Sequence, residues 1–108
     1  MNAVYDKLQP LINEELEAAN KEHGQFHSLH EGYAVLLEEF EETQSELDEV
    51  KRYMDYMWGH IKDDNNTCTQ HFAARVQTVA MRAAAEAIQV AAMALKIHNM
   101  GDEREGWR

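Results

Sequence analysis

Leu36, Phe40, Leu47, Val50, Met54, Met57 and Ile61 recur in steps of four and three, with Thr43 filling the one missing step. That repeat matches the turn of an α-helix and not the alternation of a strand. It predicts a long helix from about Gly32 to Ile61, packed along one seam as in bundles and coiled coils. Alternating Val, Ile and Thr runs bounded by turn residues are absent from the sequence, so the expectation is an all-α chain.

Two further helices frame this one. The first is expected over Val4 to Glu22, with Val4, Leu8, Leu11, Ile12 and Leu16 as its apolar stripe. Pro10 either kinks it or delays its start, and Gly24 is placed to stop it. A loop with three histidines then runs to about Glu31. Beyond the long helix, Asp63-Asp64-Asn65-Asn66-Thr67 has the composition of a turn. The last helix is expected from about Thr69 to His98. Small and apolar residues occupy almost every face of it from Ala83 to Leu95, which predicts burial on most sides. Gly101 should end the order, leaving a polar tail over about 101–108, with Trp107 either loose or docked on a partner.

With 108 residues the chain is expected to be a single domain, 1–108, of about three main helices. So small a domain has a modest core, and helices with two or more apolar sides invite a partner copy. Asp and Glu number 20 against 10 Lys and Arg, a formal charge of -10. That balance argues against a nucleic-acid polymer as partner and is compatible with cations, or with phosphates bound through cations. Cys68 is the only cysteine, which excludes an intrachain disulfide and a cysteine-based zinc motif and fits a reducing cytoplasm. Met1 to Gln9 lacks the apolar run of a signal peptide. The longest apolar run, near Val90 to Leu95, is interrupted by Gln89 and Lys96 and is too short to span a bilayer, so no membrane association is expected.

Acidic residues are concentrated on the long helix: Glu38, Glu39, Glu41, Glu42, Glu46, Asp48 and Glu49. At about 100° per residue, Glu39, Glu42, Glu46 and Glu49 fall along one side, beside the apolar seam. Carboxylates crowded at the edge of a core repel one another. A divalent cation with oxygen ligands resolves this; a solvated acidic face is the plainer alternative. On the last helix, Glu86 and Gln89 are the only charged and the only other polar residue between Ala83 and Leu95, and three-residue spacing puts them on one face. Either Arg82, one turn earlier, neutralises Glu86, or Glu86 faces the acidic row and completes a metal site.

These residues carry a family resemblance. Glu38-Glu39-Phe40-Glu41-Glu42 reads as E-E-x-x-E, and Glu86-Ala87-Ile88-Gln89 reads as a variant of E-x-x-D. In that order and on two helices, the pair resembles the motifs of the MazG-like all-α nucleoside triphosphate pyrophosphohydrolases, in particular the small members carried by phages and prophages. The resemblance covers roughly Gln25 to His98. It implies a dimer or tetramer in which helix pairs build a four-helix core. It also implies a Mg2+ cofactor, with Mn2+ as a substitute, and hydrolysis of a nucleoside triphosphate to a monophosphate and pyrophosphate. Carried over by position, the metal ligands are Glu39, Glu42 and Glu86, with Gln89 in the place of the family's aspartate, and Glu38, Glu39 and Glu42 are the catalytic carboxylates. Glutamine can ligate a hard cation but brings no charge and cannot act as a base. The gap between the motifs is also longer than the family's, and Glu46 or Glu49 on an extended helix could replace the missing carboxylate. These departures leave weakened activity, or none, open.

Outer phosphates call for basic residues, for which Lys51, Arg52, Arg82 and Lys96 are the candidates, and Phe26 and Tyr33 near the loop could stack on the base. Each aromatic could equally be a packing residue. His23, His27 and His30 could form a zinc site only with a fourth ligand; His27 and His30 flanking a pocket mouth is the better expectation. An alternative to the enzyme is a non-catalytic helical protein with a degenerate metal site, using its seam for oligomerisation or partner capture. A di-iron bundle would use Glu-x-x-His, and no histidine here follows a glutamate by three.

Overall fold

A computed structural model describes residues 2–100. The expected polar tail at 101–108, with Gly101 and Trp107, lies outside the described residues. The described chain is all-α, without strands: α1 (Asn2–Tyr5), α2 (Leu8–His23), α3 (Leu29–Lys62) and α4 (Asn66–Met100).

Helix ends are set by local chemistry that apolar spacing does not reveal. The expected first helix is two: α1 closes with the Lys7 N–H donating to the Val4 carbonyl at 3.0 Å, and α2 restarts at Leu8. Pro10 thus falls in the first turn of α2, where its missing N–H has no intrahelical partner to lose. Gly24 ends α2 at φ 71°, a left-handed conformation that side chains with a Cβ rarely adopt, and its N–H donates to the Asn20 carbonyl at 2.9 Å. Next, α3 begins at Leu29, ahead of the expected Gly32, because Ser28 caps it. The Ser28 hydroxyl accepts the Glu31 N–H at 3.1 Å, and the Glu31 carboxylate accepts the His27 N–H at 2.8 Å, a variant of the capping box. Helix α4 likewise starts at Asn66 rather than Thr69. Asn65 caps it, its side-chain oxygen accepting the Cys68 N–H at 3.0 Å.

The chain divides into two compact units. The first contains the residues up to Phe40 and those from Ala87 on. Its core is Phe26, Ala92, Met93 and Met100, flanked by Ile12, Leu16, Ala19, Val35, Leu36 and Ile97. Gly32 is buried against this core: a Cβ there would meet Ile97 Cγ1 at 2.9 Å and Phe26 Cδ2 at 3.1 Å. The second unit runs from Glu41 to Glu86. It buries Val79 and Ala83 and packs Phe72 against Tyr53, Tyr56 and His60, with ring centroids 5.9, 5.3 and 5.5 Å away.

Two expectations about burial are corrected. The covered face of α3 runs through Gly32, Leu36, Glu39, Thr43, Glu46, Val50, Tyr53, Met57 and His60. Phe40, Leu47, Met54 and Ile61, read as seam residues, are exposed. Both rows obey the same spacing, and this chain covers only one of them. On α4, Ala84, Ala85, Ala87 and Ala94 are also exposed, so the expected burial on most sides holds over Ile88 to Met93, where every residue is buried or half-buried, and not over the whole of Ala83 to Leu95. Counting uninterrupted apolar runs also understated α4, which is long and apolar enough to cross a membrane, with mean hydropathy 1.3 over its most apolar window. Core helices of soluble proteins pass the same test, and 22% of that window is buried within the chain.

The close approach at Gly32 generates a stability prediction. Gly32→Val should destabilise the fold by about 1–3 kcal/mol, the usual cost of overpacking, measured by chemical denaturation. An unchanged midpoint would contradict the packing described.

Candidate metal centre

The acid row of α3 is held by helix geometry: Glu39 and Glu42 lie three residues apart, on adjacent turns of one face. Glu39 falls on the covered side of α3, between Leu36 and Thr43, while Glu42 is exposed. Glu86 is half-buried on α4, between Ala83 and Val90. Carboxylate oxygens of Glu39, Glu42 and Glu86 all lie within 4.8 Å of one another. Unit charges at that separation repel by roughly 3 kcal/mol per pair at an effective dielectric of about 20, before the screening that the exposure of Glu42 allows. Three hard, anionic oxygen donors on two rigid helices match Mg2+ or Mn2+, which bind through a few carboxylates and keep waters in the remaining positions.

Arg82 does not neutralise Glu86. Its guanidinium Nε donates to Glu46 at 3.1 Å and a terminal nitrogen lies 3.6 Å from Glu49. No lysine or arginine among the described residues pairs with Glu86. The same geometry corrects the expectation for Glu46, which lies outside the convergent set and serves as the partner of Arg82. Arg82 is thereby taken up within the second unit rather than presented to phosphates. Lys51 is likewise turned along its own helix, to Asp55 at 2.5 Å.

Gln89 has a different partner from the one expected. Its amide donates to the Glu15 carboxylate of α2 at 2.5 Å. Both line a cleft of about 580 Å³ in the first unit, together with Glu38, Glu39, Phe26 and Lys96. Glu15 was not foreseen. Its signal was its position between Ile12 and Ala19 on the covered side of α2, a costly place for a carboxylate without a donor.

Lys96 is the cation of this cleft. It is only 3% exposed, donates to the Gly24 carbonyl at 2.6 Å, and sits 4.3 Å from the centre of the Phe26 ring, within cation–π range. Burial holds its ammonium below the usual lysine range, opposed in part by the attraction of Glu31. Phe26 belongs to the core and has Lys96 on its ring. Tyr33 is exposed and is not a lining residue, so the structure does not place it to stack on a base in this cleft. Of the histidines, His23 and His27 line the cleft and His30 does not. Among the described residues the three histidines do not form a metal-binding group.

No protein-family model, no curated protein and no solved structure matches the chain.

The capping interaction at Glu31 has a pH signature. Hydrogen bonds from the backbone and ring of His27 hold the Glu31 carboxyl below its ordinary value of 4.5. A carboxylate lowered in the folded state stabilises above its unfolded value, and that stabilisation is lost as pH falls through the folded value. Glu31→Gln should therefore lower the melting temperature at pH 7. The gap from the parent should close as the pH falls below 4.5. A gap that persists unchanged in acid would contradict this role.

Proposed function

We propose that the chain is a Mg2+-dependent nucleoside triphosphate pyrophosphohydrolase of the MazG-like type. The observation that carries this reading is the convergence of Glu39, Glu42 and Glu86 from two helices to within 4.8 Å, at positions that match both motifs of that family. Glu39, Glu42 and Glu86 would hold the metal. A bound Mg2+ would supply charge neutralisation for the triphosphate and lower the pKa of a water.

The remaining chemistry belongs to the chain's own side chains. Water attacks the α-phosphorus, and the bond from that phosphorus to the α–β bridging oxygen breaks. The products are the nucleoside monophosphate and pyrophosphate. Glu38, on the cleft wall beside Glu39, is the carboxylate that would accept the proton of the attacking water. Lys96, the cation in that wall, is the group suited to an outer phosphate oxygen. Lys51 and Arg82 do not line this cleft and pair instead with Asp55 and with Glu46 and Glu49.

One observation favours a second reading, a non-catalytic helical protein with a degenerate metal site. Gln89 stands where the family has an aspartate, and its amide is tied to Glu15 rather than offered as a negatively charged ligand.

The two readings differ in turnover. Incubation with a panel of nucleoside triphosphates and Mg2+ should release pyrophosphate. Glu39→Gln and Glu86→Gln should each reduce the rate at least about 100-fold, in line with loss of a few kcal/mol of transition-state stabilisation, with helix content by circular dichroism intact. Retention of full activity by both variants would overturn the assignment, and absence of turnover in the parent with every nucleotide would favour the second reading.

A further inference from the structure

Of the arginines among the described residues, two are paired with carboxylates and one is not. Arg52 lies 3.8 Å from Glu49, and Arg82 reaches both Glu46 and Glu49. Arg75 has no carboxylate partner among the described residues, although the chain carries 20 Asp and Glu against 10 Lys and Arg. The sequence around it keeps acids away: from Asn66 to Ala85, α4 has His71, Arg75 and Arg82 and no Asp or Glu. Arg75 is nonetheless held in place. Its Nε–H donates to His71 Nε2 at 3.2 Å, and its guanidinium carbon lies 5.8 Å from the centre of the Tyr53 ring, within cation–π range. Those contacts leave its terminal N–H groups without a protein partner among the described residues. Arg75 lines a groove of about 310 Å³ within the second unit, to which Tyr53, Ala74 and Val79 contribute apolar surface.

We propose that this groove binds a small organic carboxylate, its oxygens taken by the terminal nitrogens of Arg75 and its apolar body laid against Tyr53, Ala74 and Val79. Geometry, charge and size select that class. The edge of a guanidinium matches a planar carboxylate with two parallel N–H···O bonds. The contacts to His71 and Tyr53 already restrain the side chain, so less freedom is lost on binding. One uncommitted cation balances one negative charge. Glu49 also lines the groove, and a phosphate dianion would set a second charge against it. The volume stands at the small end of ligand sites, which span about 300–1,000 Å³, and suits a single ring or a short aliphatic acid rather than a peptide. The site uses none of Glu39, Glu42 and Glu86 and does not depend on the proposed catalytic reading.

Titration of the full chain with sodium benzoate tests it, read by calorimetry and by the NMR signals of the Arg75 Nε–H and the Val79 methyls. Benzoate should bind saturably at millimolar concentration or below and move both signals. Benzamide, similar in size but uncharged, should bind at least about tenfold more weakly, as loss of a charge-assisted hydrogen bond implies. Arg75→Gln should weaken benzoate to the same extent and keep its fold, because Arg75 is exposed. Lys51→Gln, the same change of charge outside the groove, should leave benzoate binding unchanged. The proposal is overturned by the absence of a saturable shift, by benzamide binding as well as benzoate, or by phenyl phosphate binding more tightly than benzoate. Benzoate binding that is indifferent to Arg75→Gln, or weakened equally by Lys51→Gln, overturns it as well.

Discussion

Like charges held together are the constraint on which the candidate site depends. Glu39 and Glu42 are fixed on one face by the α-helix itself, and Glu86 comes from α4 to within 4.8 Å of both. Glu39 and Glu86 are half-buried and Glu42 is exposed, so water screens their mutual repulsion only in part. A divalent cation would convert that repulsion into coordination. The basic residues nearest in sequence are directed elsewhere: Arg82 to Glu46 and Glu49, Lys51 to Asp55. Glu39, Glu42 and Glu86 together offer oxygen donors with the chemistry of a hard metal site.

The first unit shows the complementary principle, in which buried polar groups are satisfied one by one. Gln89 donates to Glu15, and Lys96 donates to the Gly24 carbonyl while resting on Phe26. Gly24 can offer that carbonyl because its positive φ stops α2 there. Gly32, lacking a side chain, lets α3 approach Ile97 and Phe26. Two glycines and three capping side chains, Ser28, Glu31 and Asn65, thus set where the helices begin and end, and with them the positions of the cleft-lining groups.

Much of the architecture was legible in the sequence. The four–three repeat located α3, the alanine-rich stretch located α4, and Pro10 marked a disturbed start to the first helix. Boundaries were missed by about three residues at α3 and α4, because caps such as Ser28 and Asn65 extend a helix beyond its apolar pattern. Periodicity also could not tell which of two rows faces inward: Leu36, Thr43, Val50 and Met57 belong to both, and the covered face continues through Glu39 and Tyr53 rather than Phe40 and Met54. At the site, Glu39, Glu42 and Glu86, the set that the resemblance implied, have carboxylate oxygens within 4.8 Å of one another. Glu46, Lys51 and Tyr33 do not join them, because ion pairs and exposure are settled by neighbours that spacing along one helix does not specify. Glu15 escaped notice since its partner is 74 residues away.

The central claim is that one divalent cation is held jointly by α3 and α4. Manganese binding followed by electron paramagnetic resonance tests it most directly, since free Mn2+ gives a sharp signal that binding quenches. The account predicts one site per chain, displaced by Mg2+ and lost when either Glu42 on α3 or Glu86 on α4 is replaced by glutamine. Undiminished Mn2+ binding in both variants, or no binding by the parent chain, would contradict it.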